Sequence, residues 1–294
     1  MGPNVFLNDK IVPSDQAVIS IYDHGFLYGD GVFEGIRAYN GKVFKLYEHV
    51  RRLFASARAV AIDIPMTEKE FADKILEVCS LNEVKNGYIR VTVSRGAFLG
   101  LDPKNAKNPT IVISTDNLAL YPQEMYENGL HVVTCSTRVP PPQSIDPRIK
   151  SLGKYICNIT AKMEANRVNA GEGLMLNIQG YVAEATGDNI FAARDGKLET
   201  PPTAAGILEG ITRNTVIQLA RESGIEVIEK MLTLFDIYTA DECFLTGTAA
   251  EVIPMVSLDG RQIGTGGPGE ITSRLMKAFH EYTAKEGVPI PPKK

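Results

Sequence analysis

Four short stretches of this chain hold residue types that could do chemistry together. Gly210-Ile211-Thr212 stands where a helix-forming run opens. Free backbone N–H groups, the positive end of a helix dipole and a threonine hydroxyl could converge there on an anion such as a phosphate. Gly247-Thr248-Ala249-Ala250-Glu251 places small residues between two β-prone runs, and the amides of such a turn can form an anion-binding nest. Two such cradles suggest a phosphorylated cofactor without identifying it. Lys150 follows a proline-rich loop, precedes Ser151-Leu152-Gly153 and has few charged neighbours in sequence, so it could serve as an amine nucleophile and form a Schiff base. Glu184 lies between the β-prone Tyr181-Val182-Ala183 and the turn Ala185-Thr186-Gly187. Each has an ordinary alternative: Thr212 as a helix cap, residues 247–251 as a packing turn, Lys150 as a solvated charge, Glu184 as an edge carboxylate in water.

The elements that must position these residues fall into two parts. In the first, Phe6-Leu7 and Ile11-Val12 flank Asn8-Asp9 as a hairpin, and Val50, Leu53, Phe54, Ala57, Val60 and Ala61 recur at helical spacing over Tyr47–Ile62. Thr67 and Glu70 form a capping-box pattern that opens a second helix, and Tyr88–Ser94 and Pro109–Thr115 read as strands. Periodicity lapses through 116–129, which predicts a connection between domains. Beyond it, Leu130–Cys135 reads as a strand and Tyr155–Ala170 as a helix. Leu174–Ala183 and Asn189–Thr200 are strand pairs broken at Gln179-Gly180 and Asp195-Gly196. Thr212–Glu222 is helical up to Ser223-Gly224, and Ile225–Ile228, Glu242–Leu245 and Val252–Val256 read as strands. Hairpins mixed with helices predict an α+β protein, not a doubly wound parallel sheet.

Composition narrows the partners. The 294 residues carry 31 basic and 35 acidic side chains, a net charge of −4, which argues against a polybasic nucleic-acid binder. With 44% hydrophobic and 22% charged residues the chain reads as globular. It has no run of roughly 18 apolar residues and no secretory pattern in Met-Gly-Pro-Asn-Val-Phe, so a cytoplasmic protein without a membrane partner is expected. Cys79, Cys135, Cys157 and Cys243 are scattered and do not cluster with His24, His49, His131 or His280, so reduced thiols and no metal are expected. Neither a Gly-x-x-x-x-Gly-Lys-Ser/Thr loop nor a dinucleotide fingerprint is present.

Six blocks combine in a known pattern. Tyr28-Gly29-Asp30-Gly31-Val32-Phe33-Glu34-Gly35-Ile36-Arg37, Glu48-His49-Val50-Arg51-Arg52-Leu53 and Ile149-Lys150-Ser151-Leu152 are followed by Glu184-Ala185-Thr186-Gly187-Asp188-Asn189-Ile190-Phe191, Gly210-Ile211-Thr212-Arg213 and Gly247-Thr248-Ala249-Ala250-Glu251. In order and spacing, from about Val5 to Lys277, the chain resembles the fold-type IV pyridoxal-phosphate aminotransferases, and among them the branched-chain amino acid aminotransferases. The resemblance implies an α+β fold with a small substrate-lining domain (1–118), a linker (119–129) and a larger β-rich cofactor domain (130–294). It implies pyridoxal 5'-phosphate as cofactor and Lys150 as the catalytic lysine that holds it and moves the substrate proton. Glu184 would pair with the ring nitrogen and Tyr155 would hydrogen-bond the ring oxygen. Leu208 would pack on the ring, while Arg52, Gly210, Ile211, Thr212, Gly247 and Thr248 would form the phosphate cup; Arg51 is expected at the surface.

On the substrate side the resemblance assigns Tyr28, Phe33, Gly35, Arg37, Tyr88 and Arg90, with Tyr88 and the amides of Thr248-Ala249 taking the α-carboxylate. Phe33 and Tyr28 would surround an aliphatic side chain, and Arg90 would receive the distal carboxylate of glutamate or 2-oxoglutarate. The implied reaction is a ping-pong transfer from leucine, isoleucine or valine to 2-oxoglutarate, in a homodimer or larger assembly of dimers. Alternatives on the same fold are a D-amino acid or (R)-amine aminotransferase, an aminodeoxychorismate lyase, or a non-catalytic small-molecule binder. Two departures stand out: Gly153, followed by Lys154, stands where many relatives have asparagine, and Arg95-Gly96-Ala97-Phe98-Leu99-Gly100-Leu101 stands where many carry a longer glycine-rich loop.

Overall fold

The computed structural model describes residues 3–117 and 121–293. The chain forms two compact units, one of Met1–Leu118, Ile149–Gly153 and Thr283–Lys294, the other of Ala119–Arg148 and Lys154–Tyr282.

In the first unit, strands β1 (Asn4–Leu7) and β2 (Lys10–Pro13) form the expected hairpin, with Asn8 at φ 61° making the two-residue turn. There follow α1 (His24–Tyr28), β3 (Gly31–Tyr39), β4 (Lys42–Val43), α2 (Leu46–Ala59), α3 (Glu68–Leu81), β5 (Gly87–Ser94) and β6 (Thr110–Asp116). With the strand Val288–Pro289 they give an antiparallel sheet in which β3 pairs with β5 along its length. The capping box forms: the Thr67 side chain accepts from the Glu70 amide while Glu70 accepts from the Thr67 amide. Leu46, Val50, Leu53 and Ala57 of α2 and Phe71, Ile75 and Val78 of α3 bury one face of each helix against Ile36, Ile89 and Val91. Burial of side chains of this size contributes about 1.5–3 kcal/mol each.

The second unit comprises α4 (Gln123–Asn128), β7 (Leu130–Thr134), α5 (Tyr155–Arg167), β8 (Glu172–Leu176), β9 (Val182–Ala185), β10 (Asn189–Arg194), β11 (Lys197–Thr200), α6 (Ile211–Glu222), β12 (Val227–Glu229), α7 (Leu234–Tyr238), β13 (Glu242–Gly247), β14 (Glu251–Leu258), β15 (Arg261–Gln262) and α8 (Glu270–Lys285) up to Tyr282. Its sheet is mixed. β8–β9, β10–β11, β10–β13 and β13–β14 are antiparallel, whereas β7 runs parallel to both β8 and β14 and β12 parallel to β11. The α+β expectation holds in both units.

Three segments in particular depart from what the sequence suggests. Within the expected linker, Gln123–Asn128 is helix α4, packed against β14, while 119 and 120 lie outside the described residues. Ile149–Gly153 joins the first unit because it runs beside β3: the amides of Phe33, Leu152 and Gly153 donate to the carbonyls of Lys150, Gly31 and Gly29. The strand Val288–Pro289 likewise pairs with β4. Such long-range pairings leave no mark in a local hydrophobic pattern.

All four cysteines are free, and burial pushes the Cys79 thiol up to about 12. Among the described residues no helix is long and apolar enough to cross a membrane, and no group of three or more His, Cys, Asp or Glu side chains could hold a metal.

Candidate functional site

In the second unit, Glu184 sits inside β9 at 5% exposure, so it is not the solvated edge carboxylate of the ordinary reading. Its Oε2 accepts from the Leu208 amide at 2.8 Å and its Oε1 from Lys154 Nζ at 2.7 Å. The bond to Leu208 ties β9 to the loop that opens α6, and Asn189 Nδ2 holds the Leu208 carbonyl from β10 at 2.9 Å. A Cβ on Gly210 would lie 2.0 Å from Asn189 Oδ1, so only glycine lets the backbone pass this close. Gly210, not Thr212, is the N-cap of α6, and it offers no side-chain bond; the first amides of the helix are not consumed by a cap. Thr212 is buried in the first turn.

Asn189 also faces Thr246 across the β10–β13 register, which brings the 247–251 turn to the same edge. Gly247 pairs with Glu251, and Thr248, Ala249 and Ala250 form the loop between β13 and β14. A Cβ on Gly247 would lie 1.9 Å from Asp188 Oδ1, again a close approach that excludes any side chain. The buried Thr246 hydroxyl beside it has no hydrogen-bond partner among the described residues. Strand, helix start and turn thus place a buried carboxylate, an uncapped helix N-terminus and a nest-like turn around Asn189. Tyr155 opens α5, its ring 5.6 Å from Lys154 Nζ.

In the first unit, alternation along β3 puts Phe33, Gly35 and Arg37 on one face. Register places Arg90 opposite Gly35 and Tyr88 opposite Arg37, so both β5 side chains share that face. The Arg90 guanidinium stacks 3.7 Å from the Phe33 ring centre, and Lys150 Nζ lies 4.8 Å from the same ring. A Cβ on Gly35 would fall 2.1 Å from the Tyr88 hydroxyl: the absence of a side chain there makes room for the phenol. Lys150 lies in the segment 149–153 beside β3, its carbonyl accepting from the Phe33 amide at 3.0 Å, five residues before α5 begins at Tyr155. Its amide is anchored on Ser56 Oγ of α2 at 3.2 Å. Tyr28, at the C-terminal end of α1, stands edge-on to the His24 ring and so is placed by α1, not by the β3–β5 face.

On the opposite face of β3 lies Glu34, fully buried. It accepts from Arg52 Nε at 2.7 Å and Nη2 at 2.8 Å, and from His49 Nδ1 at 2.7 Å. Burial opposes ionisation of Glu34, but the facing Arg52 and His49 outweigh it and hold the carboxyl at about 2. Burial, with Arg52 and Lys150 nearby, pushes His49 below its ordinary value, so the guanidinium supplies the counter-charge. Arg51 is exposed, as expected. His24 stacks on Phe98 and bonds Asp30 through Nδ1 at 3.0 Å.

Sequence reasoning gives no role to Glu34 or Lys154. Glu34 is legible as an acid in a strand that otherwise carries apolar residues inward. For Lys154 the only signal is its placement between Gly153 and Tyr155.

A family model for class IV amino-transferases matches residues 31–258. A protein of Methanocaldococcus jannaschii that carries the provisional name of a branched-chain-amino-acid aminotransferase is 46% identical over 287 residues, covering 97% of this chain and 98% of the relative. The crystal structure of the Escherichia coli branched-chain amino acid aminotransferase superposes with a TM-score of 0.94 at 33% identity, over 98% of this chain and 96% of that one. The T.th. branched-chain amino acid aminotransferase, solved with N-(5'-phosphopyridoxyl)-L-glutamate, gives a TM-score of 0.91 at 36% identity, over 97% and 95%. With the fold shared over nearly its whole length, the chain belongs to the class IV aminotransferases and, among them, to the branched-chain aminotransferase family.

Proposed function

We propose that this chain transfers the amino group of leucine, isoleucine or valine to 2-oxoglutarate by a ping-pong scheme on pyridoxal 5'-phosphate. When bound, that cofactor supplies an electron sink for the bond electrons left at the substrate α-carbon. The residues present fit it. Lys150 provides the amine and carries the proton to and from the α-carbon. Glu184 meets the ring nitrogen, Tyr155 the ring oxygen, and Leu208 the ring face. Arg52, the helix start at Gly210-Ile211-Thr212 and the turn at Gly247-Thr248 take the phosphate. Two side-chain-free approaches and an uncapped helix N-terminus support the phosphate assignment. The relative solved with a phosphopyridoxyl-glutamate adduct supports the cofactor and the acidic partner together.

The observation that carries the substrate reading is the Phe33 ring, with the Arg90 guanidinium 3.7 Å and the Lys150 amine 4.8 Å from its centre. An apolar surface for an aliphatic side chain and a cation for a distal carboxylate stand beside one amine, which suits a pocket that takes leucine and glutamate in turn. Tyr88 and the amides of Thr248-Ala249 would hold the α-carboxylate, with Gly35 keeping Tyr88 in place and Tyr28 and Arg37 completing the lining. Exposed Ile156, Ile159 and Met163, on one side of α5 at spacings of three and four, support assembly into a homodimer or larger. A substrate panel in both stereochemical series tests the reading. L-leucine, L-isoleucine and L-valine should bleach the yellow holoenzyme and 2-oxoglutarate should restore its colour. Faster reaction with D-alanine, or with an (R)-amine, would transfer the chain to the other branch of the fold, and pyruvate release from aminodeoxychorismate would make it a lyase.

A further inference from the structure

Lys154 is 1% exposed and its ammonium spends one of its three donors on Glu184 Oε1 at 2.7 Å. The other oxygen of that carboxylate is held by the Leu208 amide at 2.8 Å. Both oxygens of the group expected to face the cofactor's ring nitrogen are therefore already engaged by the protein, one of them by a full positive charge. We propose that Lys154 is a positioning residue for Glu184: its ammonium is the counter-charge that keeps the buried carboxylate aimed and dry before the cofactor arrives, and it shares that carboxylate with the ring nitrogen afterwards. This rests on the reading of Glu184 as the ring-nitrogen partner.

A buried carboxylate stripped of its cation is costly, whereas a cation arriving with the ligand can replace the one removed. Lys154 thus stabilises the cofactor-free protein and competes mildly with the cofactor for Glu184. Burial draws the ammonium toward neutrality, but the Glu184 charge and hydrogen bond outweigh this and raise Lys154 above the ordinary lysine value; Tyr155 and Cys157 are the other titratable groups beside it. An ion-paired ammonium is a poor nucleophile, which separates its role from that of Lys150.

The test compares wild type, Lys154→Met, Lys154→Arg and the double variant Lys154→Met/Glu184→Gln as full-length protein, with and without pyridoxal phosphate. Lys154→Met should lower the thermal midpoint of the cofactor-free protein on the order of 10 °C and that of the loaded protein less than half as far. The dissociation constant for pyridoxal phosphate should fall about tenfold or more, as the unequal losses require, and Lys154→Arg should stay near wild type in both. Equal losses in the two forms, or an arginine variant as impaired as the methionine one, would reduce Lys154 to a packing role and overturn the proposal. If Lys154→Met does not fold, recovery in the double variant supports the charge argument and its absence refutes it. Borohydride reduction of the wild-type holoenzyme followed by peptide mapping separates this proposal from the reading beneath it. Label on Lys150 upholds that reading, label on Lys154 sinks the positioning role while leaving a pyridoxal enzyme, and no uptake of cofactor sinks both.

Discussion

Replacing Glu34 by glutamine asks whether buried charge, and not side-chain shape, braces Arg52. The carboxylate has no exposure and takes three hydrogen bonds, two from the guanidinium and one from His49. A carboxyl ordinarily near 4.5 and held at about 2 favours the folded state by about 3 kcal/mol when ionised. Because His49 is itself pushed toward its neutral form, most of that comes from Arg52, and a working value is about 2–3 kcal/mol. The folded-state pKa is depressed, so this stability is fully present above about 4.5 and is lost as pH falls toward about 2. Urea unfolding of wild type and Glu34→Gln at pH 7, 4 and 3 should show a gap of about 2–3 kcal/mol at pH 7 that narrows at pH 4 and further at pH 3. Weaker retention of pyridoxal phosphate by Glu34→Gln at pH 7 should accompany it, because Arg52 loses its brace. A gap that is the same at all three pH values, or none at pH 7, would refute the charge argument.

Three further substitutions probe the faces of β3 and β9. Gly35→Ala puts a methyl 2.1 Å from the Tyr88 hydroxyl, so the phenol must swing away; KM for L-leucine should rise roughly tenfold while cofactor binding is unchanged, measured by initial rates and absorbance titration. Arg90→Leu removes the guanidinium stacked on Phe33, and kcat/KM for 2-oxoglutarate should drop by about a hundredfold against less than about tenfold for L-leucine. Glu184→Ala should still take up pyridoxal phosphate but lose turnover by about a thousandfold or more, read in single-turnover bleaching by L-leucine.

What could be read in the sequence is what depends on neighbours along the chain. The Asn8-Asp9 and Asp195-Gly196 turns need positive φ within the two-residue loop, and the residue types that tolerate it are visible as letters; both hairpins form there. The Thr67–Glu70 box is likewise complete within one helical turn. Helix α8 carries Ile271, Leu275 and Phe279 at a spacing of four, yet the strand-rich texture around it gives no place for a helix, and the expectation omits it. The candidate site divides in the same way. Its glycine-rich turns are local and legible, whereas the Glu34–Arg52 and Lys154–Glu184 pairs join residues 18 and 30 positions apart that only the fold brings together.

The two lysines at 150 and 154 show why spacing alone assigns no chemistry. In a continuous helix, residues four apart would share a face and a solvent environment. Here the chain at Lys150 runs beside β3, its carbonyl taking the Phe33 amide, whereas Lys154 is the N-cap of α5 and already has helical backbone angles. The first lysine ends against an aromatic ring with Arg90 on the same ring, and the second against a buried carboxylate. A nucleophilic amine must be able to give up its proton. At Lys154 an acidic partner in a dry pocket opposes that loss. The proposed function gives the covalent work to the first and a held charge to the second, and it is the different backbone and neighbours at the two positions that separate them.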